Sequence, residues 1–180
     1  LTSSSNHNNS VAQLVLGRFY KHTNNFSKAV HYLSISSNNN NKDAQYELSI
    51  SYLLGDIIKK NINLGLHLLI KSSDNKCIES NFSLGYLYHK GEYVDQDINK
   101  AIHLYKEAST FDHQYAKNNL GVIYANGFKN KIKQNVVLAI EYFKEAIYKK
   151  NDVLSMYNLS IIYLYNKTMM DINKAIELLV

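Results

Sequence analysis

The sequence predicts an all-α fold built from five copies of one helix–loop–helix unit, and three observations carry that prediction. Leu-Gly or Leu-Ser pairs recur at Leu16, Leu48, Leu84, Leu120 and Leu159, spaced by 32, 36, 36 and 39 residues. A period of that length marks a repeat array. A tyrosine follows each leucine by four residues, at Tyr20, Tyr52, Tyr88, Tyr124 and Tyr163. An Asx residue stands four before a small one in every copy: Asn25/Ala29, Asn61/Gly65, Asp97/Ala101, Asn135/Ala139 and Asp171/Ala175. The 180 residues could hold one ordinary domain, but in an array each unit needs only its neighbours to bury its apolar faces.

Residues 1–10, LTSSSNHNNS, are polar and aperiodic and are expected to form a linker or disordered lead-in. The repeats are expected at about 11–37, 43–73, 79–109, 115–147 and 154–180, the last one truncated. In each first helix a small residue (Ala12, Ala44, Ser80, Ala116, Ser155), the leucine, the Gly/Ser and the tyrosine fall at i, i+4, i+5 and i+8. That spacing puts all four on one helical face. Glycine inside a helix costs about 1 kcal/mol against alanine. Only serine replaces it, at Ser49 and Ser160, so a close helix–helix approach is expected there.

The first helices should stop at Gly55, Gly91, Gly127 and Asn166, types that tolerate the left-handed conformation. Thr23 holds that place in repeat one and demands a different stop. The five Asx residues should cap the second helices, because their side-chain oxygens accept orphan backbone N–H groups. Apolar residues follow each cap directly, and apolar pairs such as Leu68/Leu69 and Tyr142/Phe143 follow the small residue by three and four. A further small residue comes at seven: Ser36, Ser72, Ala108 and Ala146. Asn40, Lys76, Asp112 and Asn151 precede the next unit; an Asx residue there could either cap the coming helix or adopt a left-handed turn. Ten helices and no strands are expected. The chain ends within a helix pattern at Leu178-Leu179-Val180, so those residues should be partly exposed and the sequence reads as a window of a longer protein.

The unit resembles the Sel-one-like repeat (SLR), a relative of the tetratricopeptide repeat, with the pattern A-x-x-x-L-G-x-x-Y-x-x-G, a loop, then D-x-x-K-A. Ser80–Ala108 match almost throughout, with Leu104 where tryptophan is common. Repeat one departs, with nine residues from Tyr20 to Ala29 against thirteen from Tyr88 to Ala101. The resemblance covers Val11–Val180. It implies an α-solenoid, a right-handed superhelix of about five antiparallel helix pairs. It also implies a noncatalytic protein–protein interaction scaffold or adaptor, with a partner peptide or protein in the concave groove. The alternative it implies is a regulatory or activator module for an attached or membrane-bound enzyme of the kinase, ubiquitin-ligase or chitin-synthase type. A secreted branch of the family ties its hairpins with paired cysteines, which a chain with Cys77 alone cannot do.

By the same resemblance the first helices line the groove, and the positions flanking the Leu-Gly stripe become candidates. Repeat three offers Phe82, Ser83, Tyr86, His89 and Lys90; repeat four offers Asn118, Asn119, Val122, Ala125 and Asn126. Repeat five offers Tyr157, Asn158, Ile161, Leu164 and Tyr165. The partner-binding set is taken as Phe82, Tyr86, His89, Lys90, Asn118, Asn119, Asn126, Tyr157, Asn158 and Tyr165. Aromatic rings supply contact area and amides can bond a peptide backbone. Packing between repeats is the competing role for some of these positions. The asparagine and lysine set with which related chaperone adaptors clamp a C-terminal carboxylate is not at the matching positions.

Other chemistries find little support. The net charge of +5 comes from lysines scattered over all repeats, which reads as a solvated face, with no nucleic acid expected. No apolar run approaches the ~18 residues that span a bilayer, so no direct membrane insertion is expected. A lone cysteine makes no internal disulfide and fits a reducing compartment such as the cytoplasm, with the secretory-pathway lumen as the alternative. His31, His67 and His103 share one repeat position, continued by Glu141 and Glu177. Packed helices hold such side chains roughly 10 Å apart, whereas zinc ligands sit about 2 Å from one ion. The column therefore reads as an outer ridge and no metal site is expected. No phosphate loop, nucleophile elbow or H-E-x-x-H motif occurs, so no catalytic residue and no cofactor are expected, and the fragment is expected to be monomeric.

Overall fold

A computed structural model describes residues 2–129, 131–150 and 152–180, with side chains from residue 9 onward except 130 and 149–151. Ten helices form in chain order: α1 (Thr2–His22), α2 (Phe26–Asn38), α3 (Lys42–Leu54), α4 (Ile62–Asp74), α5 (Ile78–Lys90), α6 (Ile98–Ser109), α7 (Gln114–Asn126), α8 (Val136–Lys150), α9 (Val153–Tyr165) and α10 (Ile172–Leu179). Among the described residues there is no strand, only an isolated antiparallel bridge between Phe128 and Ile132. The fold is all-α, as the periodicity predicts.

One backbone contact recurs in every pair. The N–H of the capping residue donates to the carbonyl of the repeat tyrosine: Asn25 to Tyr20, Asn61 to Tyr52, Asp97 to Tyr88, Asn135 to Tyr124 and Asp171 to Tyr163, all at 2.8–3.0 Å. Each cap also does what its type predicts, since the five side-chain oxygens accept from the backbone N–H groups of Lys28, Leu64, Lys100, Leu138 and Lys174. Loop length between tyrosine and cap varies, yet the contact is the same. The extra residues of repeat four are taken up by the Phe128–Ile132 bridge. Where a glutamine precedes the cap, it satisfies a first-helix carbonyl at the loop: Gln96 Nε2 reaches His89 O at 2.8 Å, and Gln134 Nε2 reaches Ala125 O at 2.7 Å.

The helix stops partly follow expectation. Gly55 and Gly91 have φ of 76° and 72°, whereas Gly127, at φ 69° and ψ −177°, has the positive φ without the left-handed helical turn. Asn166 does not; it is extended, and its side chain instead accepts from the Thr168 N–H and hydroxyl. In repeat one the Thr23 hydroxyl bonds back to the Phe19 and Tyr20 carbonyls, and Asn24 makes the left-handed turn at φ 58°. Of the two roles open to Asn40 and Asp112, the structure takes the left-handed turn, at φ 58° and 59°, and Lys76, the exception among these positions, turns the same way at 60°. Caps come from the next residue: Asn41, His113 and Asp152 bond the first turns of α3, α7 and α9, and Cys77 holds the same place before α5. Asn151 lies outside the described residues.

The expected lead-in is corrected by α1, which starts at Thr2. Neither proline nor glycine interrupts residues 2–10, so nothing breaks the helical hydrogen-bond ladder there. Ser10 is buried, and its carbonyl accepts from the Ser36 hydroxyl at 2.6 Å.

The chain divides into two compact units, 1–84 and 85–180, with the boundary inside α5. The first unit has a core cluster of Leu14, Leu33, Ala44 and Leu48. Its repeats are stitched by small polar groups: the Ser72 hydroxyl donates to Lys42 O, Ser80 to Ser72 Oγ and Ser73 to Asn81 Oδ1, at 2.6–2.7 Å. The second unit centres on Ala139, Phe143, Leu159, Ile162, Tyr163 and Ala175. There the buried Lys117 ammonium meets Asp112 at 3.0 Å and Glu145 at 3.6 Å. Leu16 is 40% exposed while its counterparts Leu48, Leu84, Leu120 and Leu159 are buried, because a second helix of the preceding repeat covers each of those. At the other end Leu179 and Val180 are exposed and Leu178 partly so.

The Gly/Ser position is the place of closest approach. A Cβ on Gly121 would lie 2.5 Å from the Phe143 ring, on Gly17 2.7 Å from Leu33, and on Gly85 3.0 Å from Tyr105. Where serine stands instead, its hydroxyl folds onto its own helix, from Ser49 to Tyr46 O and from Ser160 to Tyr157 O. Opposite Ser49, the partner helix carries Gly65 where the other repeats have alanine. Gly121→Ala should therefore lower stability by about 1–3 kcal/mol through overpacking, although alanine is the better helix former. Urea unfolding of the two proteins checks this, and Gly85→Ala should be milder.

Candidate partner-binding face

The faces of α7 and α9 not used in pairing meet over an open hollow of about 280 Å³ in the second unit. Val122, Ala125 and Asn126 line it from α7, and Asn158, Ile161, Ile162 and Tyr165 from α9. Val136 and Phe143 of α8 and Asn166 complete the lining. No lining residue is charged. Three amides share this lining with apolar side chains, an arrangement that can seat an apolar side chain and bond a backbone beside it.

The candidate residues separate by environment. Asn126, Asn158 and Tyr165 line the hollow, and Tyr157 is exposed on α9. Tyr86 is exposed on α5, and the Lys90 ammonium sits 5.7 Å over its ring. His89 is half-buried, edge-on to Tyr105 at 6.2 Å and Phe128 at 5.8 Å. Burial pushes the Tyr105 hydroxyl, on the neighbouring α6, well above the usual phenol range. Phe82 belongs to the first unit and is partly buried.

Asn118 is a correction. It is 3% exposed, and its Oδ1 accepts from Asn158 Nδ2 at 2.8 Å and from the Ser155 hydroxyl at 3.2 Å. The amide oxygen is spent on the next repeat and the side chain has almost no exposed surface, so Asn118 serves to position Asn158. The position immediately after the first small residue has a structural role that the repeat spacing alone does not assign. Gln45, Asn81 and Lys117 occupy it, all buried, and each bonds the end of the previous repeat: Ser37 O, Ser73 Oγ and Asp112. A polar residue at that place in three successive repeats was the available signal.

His31, His67 and His103 are exposed, as an outer ridge requires. Among the described residues, Asp43, Cys77 and Glu79 bring one ligand atom each within 4.8 Å of one another. The buried thiol lies 3.7 Å from Asp43 Oδ1 and 3.6 Å from Glu79 Oε2. Both carboxylates sit in the first turns of α3 and α5, where the positive helix end already favours them. That accounts for their place without an ion.

Comparison with known proteins decides the family. Sel1 repeat matches fall on residues 10–41, 42–77, 78–110, 114–151 and 153–179. The chain belongs to the Sel1 repeat family. A Sel1 repeat protein from Oxalobacter formigenes has a similar crystal structure, with a TM-score of 0.86 at 23% identity over 95% of this chain and 71% of that one. The c5321 protective antigen of uropathogenic Escherichia coli, which displays an SLR fold, gives 0.79 at 21% identity, over 86% of this chain and a third (33%) of that one. A Sel1 repeat protein from Klebsiella pneumoniae gives 0.61 at 18% identity, over 99% and 87%. No curated protein matches the sequence. These Sel1 likenesses establish the helical-repeat solenoid fold, and Sel1 repeats generally serve as noncatalytic protein-interaction scaffolds.

His89 gives this region a pH dependence. Burial first, and the neighbouring Lys90 charge second, hold its pKa below the usual imidazole value of 6.5. The fold therefore favours neutral His89, and this contribution is complete above about pH 6.5. It is lost as pH falls from there through the folded-state value. The melting temperature should drop between pH 7.5 and 5.5, and His89→Gln should flatten part of that slope. Equal slopes in both proteins would remove His89 from the account.

Proposed function

We propose that the chain is a noncatalytic scaffold that holds an extended peptide segment of a partner protein against the first-helix faces of repeats four and five. The observation that carries this is the hollow between α7 and α9, lined by amides and apolar side chains and flanked by exposed Tyr157 and Tyr165. The family's general role as a protein-interaction scaffold supports it. Exposed aromatic side chains beside a pocket are what binding hot spots are made of, and truncating one costs about 2 kcal/mol, roughly thirtyfold in affinity. Tyr86, with Lys90 over its ring, extends the same kind of surface on α5.

The test uses a partner recovered by affinity pull-down with this chain. Tyr165→Ala should weaken that partner by about ten- to thirtyfold, while His103→Ala, on the exposed ridge of α6, should leave it unchanged in isothermal titration. Loss of binding only in the His103 variant would move the site to the second-helix face.

A further inference from the structure

The charges on α7, α9 and the loops that follow them are one-sided. Neither α7 nor α9 contains an aspartate or glutamate. Their only cation, Lys117, is buried and ion-paired with Asp112 and Glu145. The loop after α7, residues 127–135, carries Lys129, Lys131 and Lys133 with no acid, and the loop after α9 carries Lys167. The one carboxylate in these two loops, Asp171, faces its own helix and is ion-paired with Lys174 at 2.9 Å.

These lysines lie on the two loops that leave the lining helices. Gln134, next to Lys133, bonds the carbonyl of the lining residue Ala125. Lys167 directly follows the lining residue Asn166. Lys131 sits at the turn of the Phe128–Ile132 bridge, its N–H on Phe128 O at 2.8 Å. Lys129 differs, since its ammonium is held by Gln96 Oε1 at 2.6 Å. Lys131, Lys133 and Lys167 are exposed. An uncharged lining on α7 and α9 is thus continued, in the loops that leave these helices, by four lysines and one carboxylate that is already ion-paired.

From this asymmetry we infer that the segment bound in the α7/α9 hollow is acidic: an apolar side chain enters the hollow, and neighbouring carboxylates reach Lys131, Lys133 and Lys167. The inference rests on the reading of that face as the binding face. Amides on the wall hold the backbone of the segment in register. Exposed charges of this kind act mainly on the rate of encounter, so binding is strongly salt-dependent.

Phage display of random dodecapeptides against the immobilised protein tests it, with the enriched peptides then synthesised as fluorescein-labelled probes. Enriched peptides should combine one large apolar residue with a net negative charge. Their affinity should fall about tenfold in the K131E/K133E/K167E variant and about as much between low and high salt. The melting temperature of that variant shows that it is folded. Neutral or basic peptides that are lost in Tyr165→Ala but indifferent to the lysine reversals would overturn the acidic segment and leave the binding face standing. Acidic peptides that survive both Tyr165→Ala and Ile161→Asp would remove the binding face itself. No enrichment at all would count against both. Phosphatidylserine vesicles bound through the three lysines, with peptide binding untouched, would assign the lysines to a membrane surface and overturn the proposal.

Discussion

Everything in this molecule depends on how two helices of one repeat are clasped. The N–H of the capping Asx residue bonds the carbonyl of the repeat tyrosine in all five pairs, and the same Asx side chain caps the second helix. Three residues before that tyrosine, glycine or back-bonded serine lets the facing helix come so close that a Cβ at Gly121 would lie 2.5 Å from the Phe143 ring. The clasp is thus a backbone bond at the loop and a steric fit in the middle. Side chains complete it. The lysine before the small residue lies over the repeat tyrosine, Lys28 over Tyr20, Lys100 over Tyr88 and Lys174 over Tyr163, at 5.0–5.8 Å.

Once the pair is clasped, each first helix has one face spent on its partner and one on the preceding repeat. Leu48 and Leu120 are buried at the latter, and the polar column of Gln45, Asn81 and Lys117 runs beside them. What is left over is the face that carries Tyr157, Asn158, Ile161 and Tyr165 on α9 and Val122, Ala125 and Asn126 on α7. This leftover face is the one we propose for a partner, and Asn158 is shared with the seam, because its amide also bonds Asn118 at 2.8 Å. Asn118 shows the boundary, because one residue's difference in position places it inside the seam between repeats.

The pairs, the caps and the close approach were legible in the sequence because each rests on a local rule repeated five times. Asx before an apolar residue caps a helix wherever it occurs, and glycine at a fixed place in a helix pattern needs a reason. The connections between repeats were less legible. Asn40 and Asp112 could have been caps, and the actual caps include His113, whose ring Nδ1 accepts the Ala116 N–H at 3.2 Å, a type that propensity alone does not select. The candidate binding positions could be read from the sequence only as a helix face, not residue by residue. Whether an asparagine at that face points at the next repeat or at a partner depends on its neighbour one repeat on, and Asn118 meets Asn158 only in three dimensions. Residues 2–10 had no apolar stripe to betray a helix, and none is needed where a helix simply continues from a packed one.

The most direct test of this account is side-chain amide NMR of the isotope-labelled protein titrated with a partner recovered by pull-down. Asn126, Asn158 and Asn166 border the hollow, so their side-chain NH₂ resonances should shift or gain protection as the partner is added. The backbone amides around His103, on the exposed ridge of α6, should stay where they are. Shifts confined to that ridge and the outer faces of α6 and α8, with the three hollow amides unmoved, would contradict the claim that the faces left over by clasping are the faces that bind.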